Sequence, residues 1–149
     1  MDGASVSQAT SQPSLRLATI SDVPALARLI ENLFNHSVYS TVTDFNPEYV
    51  QNAIRGALAG KLEESGILIL EDLGRPVGCL SMARVGFMGG KELAIETTFW
   101  VEPEYRTQKN LKLLLQAYLF WAKKVGCKGA LIGKLKNKHS PEFYKVVRI

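Results

Sequence analysis

The hydrophobic positions of the chain repeat with two periods, and each period predicts a different kind of element. Alternating apolar and polar residues, or a short and wholly apolar run, are typical of a strand, whereas apolar residues three and four positions apart are typical of a helix. A loop rich in turn-forming residues, Asp72–Pro76, joins two of the predicted strands into a hairpin. The predicted strands are Leu15–Thr19, Gly66–Glu71, Val77–Ala83, Glu92–Val101 and Gly129–Gly133.

Helical spacing predicts three helices between these strands. The first begins at Ser21 or Asp22 with Pro24 in its first turn, and the second runs from Pro47 to about Leu58 with Asn46 as its cap. The third ends at Gly126. Their apolar faces are expected to point inward. These faces consist of Leu26, Leu29, Ile30, Leu33 and Phe34, then Tyr49, Val50, Ala53, Ile54 and Ala57, and finally Leu111, Leu114, Leu115, Tyr118, Ala122 and Val125.

The order of the elements predicts an α/β (α+β) fold with a mixed central sheet and helices on both faces. Three consecutive strands form an antiparallel meander, and the strand–helix–strand connection makes Gly129–Gly133 parallel to the strand before it. Regular alternation along Leu93–Val101 places Glu96 on the same face as Thr98 and Trp100.

Composition indicates one globular domain. The chain has 149 residues, 46% of them hydrophobic and 21% charged, which suits a single domain over residues 15–149 after a flexible tail, Met1–Ser14. The tail lacks the order of a signal peptide, and no apolar run is long enough to span a membrane, so we expect a cytoplasmic protein. Cys79 and Cys127 are expected to be buried free thiols.

The net charge and the two histidines exclude few classes of ligand. The net charge of +4 suits an anionic ligand but is too small to indicate nucleic acid, and we interpret Lys134, Lys136 and Lys138 as a solvated edge. His36 and His139 have no Cys or carboxylate partners at ligand spacing, so no metal site is predicted.

The most specific motif is the run from Val101 to Arg106, V-E-P-E-Y-R, followed by a leucine-rich helix. It resembles the acetyl-CoA-binding core of the GNAT N-acetyltransferase superfamily, whose members carry a pattern like V-x-P-x-Y-R-G-x-G-x-G-x-x-L-L. Here Thr107, Lys109 and Leu111 stand at the three glycine positions. The order of elements resembles that family from about Leu15 to Tyr144.

A second resemblance lies near the C-terminus. Phe143-Tyr144-Lys145 is similar to a phrase F-Y-x-K-x-G-F in the last helix of the family, after a loop that carries an Asn, here Asn137. The resemblance therefore implies a helix at this point. Val146–Ile149 then ends the sequence where the family continues through two more strands, so we expect the C-terminal strands to be shortened.

The resemblance implies an acetyl-CoA site at the strand–helix junction. Backbone groups of one strand would bind the pantetheine arm, and the helix start would bind the pyrophosphate, because its free N–H groups and positive dipole end attract anions. Side chains in place of glycine crowd that approach, while nearby cations offset the loss. The implied cofactor-binding residues are Phe99, Trp100, Val101, Arg106, Thr107, Gln108, Lys109, Asn110, Leu111, Lys112 and Asn137.

The resemblance also implies direct attack of an amine on the thioester. Glu96 is the candidate base, since burial would raise its pKa, and it acts directly or through a water. Tyr144 is the candidate acid for the departing thiolate. Each residue has an alternative interpretation: Glu96 as a salt-bridged or rim carboxylate, and Tyr144 as an aromatic core residue with its hydroxyl hydrogen-bonded.

Two functions remain open. The element order, Glu96 and Tyr144 favour an acyl-CoA-dependent N-acetyltransferase acting on an unidentified amine. The missing glycines and the short C-terminus favour a catalytically silent GNAT-like structural or binding module in a larger assembly, for example that of a phage.

An association surface is also predicted. An open sheet edge at Gly129–Gly133 and Val146–Ile149 would be covered by a second copy of the chain, as in a homodimer, or by another protein. Tyr118, Phe120 and Trp121 are the candidate aromatic anchors of that surface. Alternatively, the tail Met1–Ser14 folds over the edge.

Overall fold

The computed structural model describes residues 12–86, 88–134 and 143–149, with the side chains of Lys134 and residues 143–145 excepted. Six strands and three α-helices follow one another along this part of the chain. Their bounds are β1 Ser14–Leu17, α1 Val23–Asn35, α2 Pro47–Ala59, β2 Ser65–Asp72, β3 Arg75–Gly86, β4 Glu92–Val101, α3 Gln108–Lys124, β5 Gly129–Lys134 and β6 Phe143–Arg148.

The strands form one mixed sheet in the order β1-β2-β3-β4-β5-β6. All neighbouring pairs are antiparallel except β4 and β5, which are parallel. The predicted hairpin, meander and parallel crossover are therefore confirmed. The hairpin turn needs Leu73 and Gly74 at positive φ, 52° and 77°, which suits a two-residue turn between β2 and β3.

Helices cover both faces of the sheet, as predicted. Helix α3 packs its stripe of Leu114, Tyr118 and Ala122 against one face, together with Leu80 and Val101. Helices α1 and α2 pack against the other face, and the buried residues there are Val23, Leu26, Ala27, Leu29, Ile54, Ile67, Ile69, Cys79 and Trp100. Both cysteines are buried free thiols.

Helix α1 begins beside a partly buried ion pair. Asp22 precedes the helix, and Arg16 of β1 donates two hydrogen bonds of 2.8 Å to its carboxylate. The pKa of Asp22 is lowered to about 2, and the hydrogen bonds from Arg16 are the largest cause of this shift. Arg16 also bonds Glu71 on β2, so this cluster ties the first helix to the sheet edge. Asn46 caps α2 by accepting from Tyr49 N–H, as predicted.

Three sequence predictions were wrong: the inward position of Tyr49, the exposure of two aromatic anchors and the end of the N-terminal tail. Tyr49 is 72% exposed and does not belong to the inward face of α2. Tyr118 and Trp121 lie in the core, so that of the three predicted aromatic anchors only Phe120, 70% exposed, is available on the surface. Ser14 pairs with Glu71 in β1 and is not part of a tail.

The C-terminal segment also differs from the expectation. Phe143–Arg148 forms a strand, not the implied helix, and pairs antiparallel with β5 from Gly129↔Arg148 to Lys134↔Phe143. Because β4 and β6 flank β5, Gly129–Gly133 is an interior strand and not an open edge. Residues 1–11 and the loop that contains Lys136, Asn137, Lys138 and His139 lie outside the described residues.

Candidate functional site

A cleft opens in the sheet between β4 and β5. The two strands pair at only three positions, Leu93↔Gly129, Ala94↔Ala130 and Ile95↔Leu131. Beyond Ile95, β4 continues to Val101 beside β3 alone, whereas β5 continues beside β6. The divergence places Glu96 at the closed end of the cleft and the backbone of Phe99, Trp100 and Val101 along its β4 side.

A bulge in β4 changes which side chains face each helix layer. Ser81 pairs with Thr98 and Met82 pairs with Glu96, so Thr97 has no partner in β3. Glu96 therefore lies on the Met82 side with α3, while Trp100 packs under α1 and α2. The prediction that Glu96 shares a face with Thr98 and Trp100 was wrong, because regular alternation does not continue through a bulge.

Glu96 is buried at the closed end of the cleft, with 8% of its surface exposed. Its Oε1 accepts a hydrogen bond of 2.7 Å from the backbone N–H of Gly133, which bridges the two diverging strands. A charged acceptor gives a hydrogen bond stronger than a neutral one. The carboxylate therefore holds β4 and β5 together where their own ladder has ended.

Tyr118 of α3 is a neighbour of this carboxylate, although the sequence suggested for it only a place in the core or on an association surface. Its hydroxyl donates to the carbonyl of Leu131 at 2.8 Å. Burial, and next the charge of Glu96, raise the pKa of Tyr118 above its ordinary value of 10. The helical stripe indicated that Tyr118 is buried, but nothing in its spacing indicated the carboxylate across the cleft.

Tyr144, the other candidate catalytic residue, lies on β6 opposite Gly133. Gly133 is also the residue that donates to Glu96. The backbone positions of the two predicted catalytic residues therefore converge on the same point of β5. The side chain of Tyr144 lies outside the described residues.

The junction before α3 folds without the glycine conformations of the family pattern. A short 3₁₀ turn, Pro103–Tyr105, leads into Thr107, which caps α3 by accepting from Asn110 N–H at 3.1 Å. Asn110 is buried, and its side-chain amide donates to the carbonyl of Tyr105 at 2.9 Å. Leu73 is the only described non-glycine residue with positive φ, so Thr107, Lys109 and Leu111 all adopt ordinary conformations.

These contacts leave backbone donors and positive charges at the helix start. Gln108 and Lys109 are the first two residues of α3, so their N–H groups have no carbonyl to bond within the helix. Lys109 and Lys112 are exposed beside them, whereas Leu111 packs against the core. The helix start thus retains two backbone donors, two ammonium groups and the positive end of the helix dipole.

Arg106 lies against the open end of the cleft. Its Nε–H donates to the carbonyl of Val101 at 2.7 Å, and its guanidinium carbon lies 4.4 Å from the centre of the Trp100 ring. The Trp100 ring also packs near His36, with ring centres 5.3 Å apart. Of the three residues predicted to pair with a pantetheine arm, Val101 therefore has its carbonyl oxygen already bonded.

Two adjoining cavities lie on the opposite face of the sheet, between α1, α2 and β4. The larger, about 690 Å³, is an open groove between the end of α1, the segment before α2 and the start of α2. The smaller, about 200 Å³, is lined on its sheet side by Ser81, Thr97 and Thr98. Ile30, Tyr49 and Val50 line both cavities, so the two lie side by side between the surface groove and the bulge of β4.

Within residues 12–86, 88–134 and 143–149, no three His, Cys, Asp or Glu side chains come together as a set of metal ligands. Over the same residues, the helices are too short or too polar to cross a bilayer.

Comparison with known proteins identifies relatives of this arrangement. Residues 28–147 match the model of the acetyltransferase (GNAT) family. No curated protein matches the sequence.

Solved structures share the fold. An aminoglycoside N-acetyltransferase in complex with CoA superimposes with a TM-score of 0.69 at 15% identity, over 90% of this chain and 81% of that one. A GNAT family acetyltransferase of Staphylococcus aureus gives 0.65 at 18% identity, over 89% and 93%. Glucosamine-6-phosphate N-acetyltransferase of Arabidopsis thaliana gives 0.63 at 16% identity, over 80% of each chain.

Proposed function

Because the chain belongs to the GNAT acetyltransferase family, we propose that it is an N-acetyltransferase that uses acetyl-CoA to acetylate an amine. The observation that carries the proposal is the cleft between β4 and β5, with a buried carboxylate at its closed end and a cationic helix start at its open end. An extended ligand whose negative charges lie at one end fits this cleft with that end at the cationic helix start.

The residues of the strand–helix junction before α3 fit the phosphate groups of CoA, although the junction lacks the glycines of the family pattern. The N–H groups of Gln108 and Lys109 and the ammonium groups of Lys109 and Lys112 would hold the pyrophosphate by charge-assisted hydrogen bonds. Acetyl-CoA, when bound, supplies the thioester carbonyl that the amine attacks. Thr97, which has no register partner in β3, offers peptide groups outside the regular ladder near the closed end of the cleft.

Glu96 is the proposed base for the acceptor amine. It is buried, and Gly133 fixes its orientation, so that it meets the requirement that a base be positioned before the reaction. Its carboxylate faces α3, whereas the two cavities lie on the other face, so we propose that the proton of the amine reaches Glu96 through water in the cleft. Tyr144 is the proposed acid, and its position opposite Gly133 supports that role.

Calorimetric titration with acetyl-CoA tests the proposal. At a ligand concentration ten times Kd, binding should raise the free energy of unfolding by about 1.4 kcal/mol, which a thermal melt also detects. Lys109→Glu should weaken binding about tenfold or more, since it replaces a charge-assisted contact with repulsion. Lys124→Glu makes the same charge change at the other end of α3 and should leave binding unchanged.

The alternative is a catalytically silent GNAT-like structural or binding module in a larger assembly. It is favoured by the hydrogen bonds that residues of the strand–helix junction make with one another. Arg106 and Thr107 occupy the Val101 carbonyl and the Asn110 N–H, which a ligand would otherwise use. The same titration decides between the two functions. No heat and no thermal shift at about 1 mM acetyl-CoA, a concentration that detects even weak ligands, would support the silent module.

A further inference from the structure

The two adjoining cavities together form a site of the size that small molecules occupy. The groove of about 690 Å³ falls within the usual range of ligand pockets, and its inner extension ends at Thr97 and Thr98 on β4. Its outer wall is held by packing of Phe34 on α1 against Phe45 in the segment before α2, with ring centres 5.5 Å apart. A molecule in the groove therefore has one end at the β4 bulge and the other near solvent.

The lining of the two cavities is mostly apolar and carries a single charge. Ile30, Phe34, Phe45, Tyr49 and Val50 form most of its surface. Asp44, at the outer end, is the only charged residue among those that line either cavity, and neither lining contains Lys or Arg. Such a lining offers no cation to neutralise a phosphate and only one carboxylate for a compound with several ammonium groups.

We infer that the acetyl acceptor is a small primary amine on an apolar, aromatic body without an anionic group, bound with its amine at Thr97 and its body against Tyr49. The inference rests on the proposed N-acetyltransferase function. In the reaction the amine nitrogen bonds to the acetyl carbonyl carbon and the carbon–sulfur bond breaks. Of the two protons that leave the ammonium group, one goes to the thiolate and the other, through Glu96, to solvent.

Tyramine and tyramine O-phosphate make a matched pair of probes, because they differ only in an anionic group at the end distant from the amine. With acetyl-CoA present, release of the CoA thiol should show kcat/KM at least about tenfold higher for tyramine, since the distal phosphate meets Asp44 and an apolar wall. Asp44→Asn should reduce that ratio about threefold, in keeping with the modest strength of exposed charge interactions. Spermidine, a polycation without an aromatic body, should be a poorer acceptor than tyramine.

Tyr49→Ala tests the site itself. Tyr49 is exposed and lines both cavities, so its removal spares the core and should raise KM for tyramine about tenfold with kcat within about twofold, as expected when apolar contact with the substrate body is lost. Phe120→Ala removes an equally exposed aromatic residue from α3, on the other face of the sheet, and should change neither constant.

Direct binding of tyramine, measured by calorimetry without acetyl-CoA, separates this inference from the proposed function. If tyramine binds, and Tyr49→Ala weakens that binding, the site is supported even where no CoA is released; the lack of turnover would then count against the proposed function alone. If tyramine neither binds nor reacts, or if spermidine or tyramine O-phosphate is the better acceptor, the inference is overturned.

Discussion

Replacing the buried carboxylate at the closed end of the cleft separates a catalytic role from a structural one. Glu96→Gln keeps the size of the side chain and an oxygen that accepts from Gly133 N–H, now 2.7 Å away, but removes the charge. Hydrogen bonds to charged groups contribute about 1.5–3 kcal/mol and neutral ones about 0.5–1.5, so the free energy of unfolding should fall by about 1 kcal/mol. In a chain of 149 residues that corresponds to about 2–4 °C in Tm.

The catalytic role has a much larger expected effect. General bases contribute about 10²–10⁴ to the rate, so kcat should fall at least about a hundredfold while Kd for acetyl-CoA stays within about threefold. Thermal melts, calorimetry and steady-state kinetics on the same preparation give the three values. Glu92→Gln is the matched control on β4, because Glu92 is an exposed partner of Arg84 and lies at the other end of the strand. A kcat within tenfold of the unchanged enzyme would refute the assignment of Glu96 as base.

Three further predictions concern the framework of the site. Arg16 lowers the pKa of Asp22 from 3.8 to about 2, so the pair should contribute about 2 kcal/mol to the free energy of unfolding. This contribution is fully present above pH 3.8 and is lost as pH falls towards 2. Acid unfolding followed by circular dichroism should show this dependence, and Asp22→Asn should lack it. Burial raises the pKa of the Cys79 thiol to about 12 and that of Cys127 above its ordinary value, so both should react with Ellman's reagent at pH 8 only after unfolding in urea; rapid reaction of the native protein would contradict the burial. Tyr118→Phe leaves the Leu131 carbonyl without its donor and should lower the free energy of unfolding, measured in urea, by about 1–3 kcal/mol; an unchanged midpoint would mean that the hydroxyl is not needed there.

Local patterns were sufficient for most of the elements. The stripe that includes Leu114, Tyr118 and Ala122 is confirmed as the inward face of α3, because a helix has a fixed period and needs no knowledge of its partner. Gly126 ends that region at a φ of 88°, where glycine is favoured. The motif at the strand–helix junction was likewise readable, since its residues are adjacent in sequence.

Features that depend on pairing between distant strands were not predictable in this way. The bulge that turns Glu96 towards α3 arises from the register of β4 on β3, which is set by residues on both strands. Phe143-Tyr144-Lys145 was expected to be helical from its resemblance, yet without the strand Phe143–Arg148 the backbone groups of β5 on that side would be left unpaired. The contact between Glu96 and Gly133 follows from both features together and could not be read from either segment alone.

The missing glycines of the junction bear on affinity more than on the existence of a site. A phosphate that took the Asn110 N–H would displace the Thr107 cap, a neutral hydrogen bond that contributes about 1 kcal/mol. One that stayed on the N–H groups of Gln108 and Lys109 would displace nothing and would still gain charge-assisted contacts of about 1.5–3 kcal/mol each from the adjacent lysines. Because the second placement makes that gain without the loss of the cap, the side chains at the glycine positions predict a phosphate contact on Gln108 and Lys109, weaker than a glycine loop would give. The pair Lys109→Glu and Lys124→Glu measures that contact directly.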